Sequence, residues 1–120
     1  MLFAQRHWDH TGGATYRAPT GSLKTVFSKA QHPAQRADWE EATHPTERNR
    51  GSYFEDALAP LLVNKQLKLL DGDKDIIPGL SYRLKGGYTS GHQITLLNVG
   101  GGKAVFFVDL VCTVCHLPIP

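Results

Sequence analysis

Short apolar runs broken by glycine and proline run through most of the chain, a pattern of strands and turns with few helices. Residues 1–4 are apolar and lead directly into a polar stretch ending at Gly12-Gly13, which predicts a strand opening into a loop. Residues 14–35 contain Pro19, Gly21 and Pro33 and show little periodicity. They read as loop, apart from one short strand where Leu23, Thr25 and Phe27 alternate with Lys24 and Val26. Asp38-Trp39-Glu40-Glu41-Ala42 changes the pattern to good helix formers, with acids in the first turn where the helix dipole favours them, and Pro45 ends the segment. Ser52 and Glu55 have capping-box spacing for a second helix. Its apolar positions are Tyr53, Phe54, Ala57, Leu58, Leu61 and Leu62, and Pro60 is expected to kink it.

The later half reads as strands. Residues 66–70 run into an Asp71-Gly72-Asp73 turn, and Pro78-Gly79 turns the chain again before Leu80, Tyr82 and Leu84 alternate. Residues 86–92 form a glycine-bounded loop. Two apolar strands, 94–99 and 104–108, then make a hairpin through Gly100-Gly101-Gly102, and the second delivers Asp109 to its end. The succession predicts one domain over residues 1–120, of α/β (α+β) class. A chain of 120 residues with 41% hydrophobic content can bury one modest core.

Charge narrows the function classes. A formal net charge of +2, with basic residues scattered, gives no footprint for nucleic acid. No apolar run approaches the roughly 20 residues that span a bilayer, so no membrane partner is expected. The N-terminus turns polar too soon for a secretory signal, and the expected location is cytoplasmic. Cys112 and Cys115, two residues apart, are expected as reduced thiols.

The first chemistry-bearing cluster is His7-Trp8-Asp9-His10. Two imidazoles and a carboxylate on a turn supply ligands suited to zinc, and a turn lets alternate side chains converge on one ion. Adjacent His and Asp are also common solvated loop residues, so the spacing leaves both readings open.

Several ordered motifs go further. His7-Trp8-Asp9-His10-Thr11-Gly12-Gly13 resembles the latter part of the His-x-His-x-Asp-His signature of the metallo-β-lactamase superfamily. Residues 87–93, Gly-Tyr-Thr-Ser-Gly-His-Gln, resemble the Gly-His-Thr-x-Gly-His-Gln segment of its lactonase-like and esterase-like members. Phe106-Phe107-Val108-Asp109-Leu110 falls where that family has a strand ending in a metal-bridging aspartate. The resemblance implies part of an αββα sandwich, a mixed sheet with helices on one face, and hydrolysis of an ester or lactone by a metal-bound hydroxide. It also implies a zinc site: His7 in a first position, Asp9 and His10 in a second, and Asp109 bridging. Asp9 would orient the attacking hydroxide. His92 and Tyr88 would stand beside the site without coordinating.

Departures from the family pattern matter equally. Gln5 stands at the place of the family's first histidine and Tyr88 at that of a histidine ligand. A carboxamide binds zinc weakly, and a phenol must first lose a proton with a pKa near 10. The expected site therefore holds one zinc ion at Asp9, His10 and Asp109. Two functions follow: a metal-dependent hydrolase acting on a small ester or lactone, impaired by the missing ligands, or a non-catalytic scaffold or assembly module derived from that fold. A sheet lacking neighbouring strands exposes its edge, so a homo-oligomer is expected. Cys112-Thr113-Val114-Cys115-His116 fits a haem-attachment pattern, but no export signal accompanies it and Met1 is the only methionine, so coincidence is the preferred reading. His32 and His44, beside prolines, are expected to be solvated. Trp39 is expected to be a packing anchor and Trp8 structural.

Overall fold

The computed structural model describes residues 1–54, 56 and 58–117. Eight strands and three helices are found among them. Strands β1 (Thr15–Arg17) and β2 (Leu23–Thr25) form an antiparallel hairpin, and β3 (His32–Gln35) pairs in parallel with β4 (Leu67–Leu70). Strands β5 (Lys74–Ile77), β6 (Leu80–Leu84), β7 (Gln93–Val99) and β8 (Gly102–Phe106) follow one another in an antiparallel four-stranded sheet. Helix α1 is the single turn Trp8–Thr11, α2 spans Arg36–Thr43 and α3 spans Ala59–Val63. Parallel strands need a long crossover, and α2 with α3 supplies it between β3 and β4. The fold is thus α/β with both parallel and antiparallel pairing, in separate sheets.

The β7–β8 hairpin follows its glycines. Val99 pairs with Gly102, and Gly100 and Gly101 between them take φ of +60° and +81°, as a tight two-residue turn requires. Helix α2 stops before Pro45, as its sequence predicts.

Other expectations are corrected. Residues 1–4 form no strand: the Ala4 carbonyl accepts from the Gln93 N–H, the Phe3 carbonyl from the Gln93 side chain, and the N-terminal ammonium donates to the Gln31 carbonyl, with no ladder. The stretch 14–35 holds three strands, of which periodicity found only β2. Strand β3 is buried at every residue and so shows no alternation, and it accommodates Pro33. The second helix starts at Ala59, seven residues later than its expected cap at Ser52, because Pro60 sits in its first turn, where a missing N–H costs nothing. Pro60 therefore opens α3 instead of kinking it. Ser52 ends a 3-10 turn, while Glu55 and Ala57 lie outside the described residues.

Phe3, Ala14, Ala34, Leu58 and Leu61 form the core, with Met1, Trp39 and Leu67 packed against it. Tyr82 and Ile94 are buried on the four-stranded sheet. Strand β8 is exposed along its whole length, leaving Phe106 and Val105 in solvent. No helix among the described residues is long and apolar enough to cross a membrane.

Polar side chains also hold the interior. Gln93 Nε2 donates to the Phe3 carbonyl at 2.6 Å, and its Oε1 accepts from Gln35 Nε2 at 2.8 Å. Gln35 also binds both the N–H and the carbonyl of Gly72. Two buried carboxamides thereby join β3, β7, the opening segment and the turn after β4.

His32 corrects the expectation of a solvated ring. It is fully buried and stacked on Phe3 at 5.5 Å between ring centroids. Burial, reinforced by the N-terminal ammonium, lowers its pKa below the ordinary value of 6.5. A folded state that resists protonation is fully stable above the unfolded pKa and loses that stability as pH falls below it. From about pH 7.5 to about pH 5.5, denaturant midpoints of the unsubstituted chain should therefore fall more steeply than those of His32→Leu. Parallel pH profiles would show that His32 titrates freely.

Candidate metal centre

Asp9 and His10 are consecutive on α1, a turn closed by the His10 and Thr11 N–H groups donating to the His7 carbonyl. The Thr11 hydroxyl donates to the same carbonyl at 3.1 Å. Asp109 arrives from the other end of the chain, on a 3-10 turn over Val108–Val111 that follows β8. His10 Nε2 lies 2.9 Å from Asp109 Oδ2 and 3.4 Å from Asp9 Oδ2. One ligand atom from each of the three residues falls within 4.8 Å of the others. Donors roughly 2 Å from a shared zinc ion stand about 3.3 Å apart, so small side-chain movements would suffice to chelate one. Two carboxylates around one imidazole also form a hard and borderline donor set with a surplus of negative charge, which suits a divalent cation.

The turn bearing Asp109 is held on two sides. Val108 takes φ of +55°, a conformation that β-branched residues rarely adopt, and the chain leaves the β8 direction there. The buried ring of His92 donates from Nε2 to the Phe107 carbonyl at 3.1 Å. Its backbone carbonyl accepts from Lys85 and Gly86, closing the 86–92 loop. Gln5, also buried, donates from Nε2 to Asp109 Oδ2.

Helix α2 fixes the loop that carries Tyr88. Glu41 accepts from the Ser90 N–H at 2.7 Å, the Ser90 hydroxyl at 2.6 Å and Asn49 Nδ2 at 2.8 Å. Gly91 lies so close to α2 that a Cβ there would stand 2.5 Å from the Asp38 nitrogen, so only glycine fits. Arg6, next to Gln5, is buried with its guanidinium 4.4 Å above the Trp39 ring. Burial lowers its pKa to about 10 and raises that of neighbouring Asp38 to about 6, although each partner's charge opposes the other's shift.

His7 stands apart from the trio. Its ring lies edge-on to Tyr53 and Tyr88, each at 5.2 Å, and burial lowers its pKa, opposed first by Asp9. Tyr88 is half exposed. Partial burial, and then the Asp109 and Asp9 carboxylates, raise its phenol pKa, so it stays protonated at neutral pH. Cys112 and Cys115 are exposed free thiols, and the Cys112 thiol donates to the Asp109 carbonyl. The His116 ring accepts the Thr113 N–H at 3.2 Å. Trp8 is half exposed against Phe54.

Of the residues singled out in the sequence, Asp9, His10 and Asp109 converge, His92 supports their turn, and Tyr88 and His7 form an adjoining aromatic group. Sequence reasoning missed the bond from Gln5 to Asp109 and the role of Glu41. Neither has a signal in local spacing, since one bridges 104 positions and the other 49.

No family model matches the chain. An N-acyl homoserine lactonase of Bacillus sp is 30% identical over 110 residues, which make up 91% of this chain and 37% of the relative. A probable metal-dependent hydrolase from Staphylococcus aureus superposes with a TM-score of 0.81 at 28% identity, over 91% of this chain and 37% of that one. A hydrolase of the beta lactamase superfamily superposes with a TM-score of 0.72 over 92% of this chain and 40% of its own, and at 21% identity it speaks for the fold alone. The chain thus spans just over a third of the length of the curated relative it matches. With the His7–Gly13 turn, the 87–93 loop and Asp109 set in order on a shared fold, the chain carries part of the metallo-β-lactamase fold and is similar in sequence to N-acyl homoserine lactonases.

Proposed function

We propose that Asp9, His10 and Asp109 hold one zinc ion and that the site hydrolyses a small ester or lactone. The approach of His10 to Asp109 from opposite ends of the sequence carries this reading, because three donors there leave an open position for water or substrate. Bound zinc lowers the pKa of its water to near 7 and polarises a carbonyl oxygen. Asp9, the most exposed of the three, orients the attacking water by accepting its hydrogen bond. Gln5 and His92 keep Asp109 and its turn in place. The lactonase name of the relative supports an N-acyl homoserine lactone as the first substrate to test. His7, set between two tyrosines and beside Gln5, is not needed for this site.

Tyr88 and Gln5, neither of them a usual zinc ligand, favour the second reading, a scaffold without catalysis. Under either reading the solvent-exposed strand β8, at the edge of its sheet, supports self-association by edge pairing.

Three measurements follow. Zinc at a hundredfold its dissociation constant should stabilise the metal-stripped chain by about 2.7 kcal/mol, seen as a raised melting temperature, and His10→Ala should abolish the rise. A rise that persists in His10→Ala would place the ion elsewhere. The zinc-loaded chain should open an N-acyl homoserine lactone faster than His10→Ala does, followed by acid release; equal rates alongside stoichiometric zinc would leave the scaffold reading. Sedimentation velocity should show a species heavier than the 13.2 kDa chain as concentration rises, whereas a monomer throughout would refute edge pairing.

A further inference from the structure

Gln5 is almost fully buried, and both ends of its carboxamide are engaged. Nε2 donates to Asp109 Oδ2, and Oε1 accepts the His7 backbone N–H at 3.4 Å. The oxygen it meets is also the one His10 Nε2 approaches at 2.9 Å. An amide N–H aimed at a carboxylate supplies part of the positive field that a neighbouring cation would otherwise supply. It also occupies a lone-pair direction on that carboxylate, which a further ion would need.

Apart from the trio of Asp9, His10 and Asp109, the groups next to Gln5 are poor donors for a metal. His7 has its ring packed edge-on between Tyr53 and Tyr88, and Tyr88 keeps its proton near the two carboxylates. A dication placed here would have to displace the Gln5 hydrogen bond and recruit a phenol. Asp9 and His10, by contrast, already have their ligand atoms gathered with one of Asp109.

We propose, resting on the zinc reading above, that Gln5 is a positioning residue: its carboxamide orients Asp109 toward a single ion shared with Asp9 and His10, and takes the place of a second cation. The role is indirect, through Asp109, and it sets both the affinity and the number of ions bound.

The test is isothermal titration of the metal-stripped full chain with zinc chloride, with circular dichroism confirming that each variant is folded. The unsubstituted chain should bind one equivalent. Gln5→Leu, similar in size but without the amide, should still bind one equivalent, about 10–100-fold more weakly, as loss of a partner that orients a ligand does. Gln5→His exchanges the hydrogen bond for a zinc ligand beside His7 and should bind two equivalents. A merely structural role for Gln5 would not move the stoichiometry. Gln5→Leu binding as tightly as the unsubstituted chain, or Gln5→His remaining at one equivalent, would overturn the assignment. Should Gln5→Leu not fold, the Gln5→His stoichiometry decides alone. Two equivalents on the unsubstituted chain would overturn this role and leave the metal site standing. A folded chain that takes up no zinc would remove the zinc reading and this role together.

Discussion

A hydrogen-bonded seam between the first residues and the last hairpin is the constraint on which the site depends. Gln93 holds residues 3 and 4 through its side chain and its backbone, and Gln5 then reaches Asp109. Each contact closes a loop of roughly a hundred residues, and loop closure of that length is costly in entropy. The seam persists because its carboxamides are buried, where a donor or acceptor left unpaired costs about 1–3 kcal/mol. Gln35 extends the seam to β3 and the Gly72 turn, so three separate parts of the polypeptide are fixed to the strand that leads into β8.

Placing Asp109 is only half of the construction. Helix α2 fixes the opposite wall through Glu41, Ser90 and the close approach of Gly91, and His92 ties that wall to the Phe107 carbonyl. The strained backbone at Val108 lies between these anchors, consistent with a turn whose geometry is set by its surroundings and not by its own preference. Two carboxylates at one imidazole leave an excess of negative charge. The neutral amide of Gln5 offsets part of it, and a divalent cation would offset the rest.

Much of this was legible in the sequence wherever local chemistry governs structure. The β7–β8 hairpin was marked by its glycines, α2 by its acids and Pro45, and the converging trio by Asp9-His10 and the aspartate after the late strand. The misses have physical causes. Strand β3 is buried at every position and has no alternation to detect, and His32 looked solvated because its burial comes from Phe3, far away in sequence. Pro60 within an apolar helical pattern signals a kink, whereas it sits in the first turn of α3, where the helix begins. Gln5 was legible as a substituted ligand but not as a donor to Asp109, since a hydrogen bond over that separation has no local signature.

The central claim is that one cation binds where the opening turn meets Asp109. Anomalous diffraction at the zinc absorption edge, from crystals of the zinc-loaded chain, tests it most directly. The account predicts a single strong peak about 2.0–2.2 Å from Asp9, His10 and Asp109. A map without a peak there, or with Asp109 turned away from His10, would contradict it.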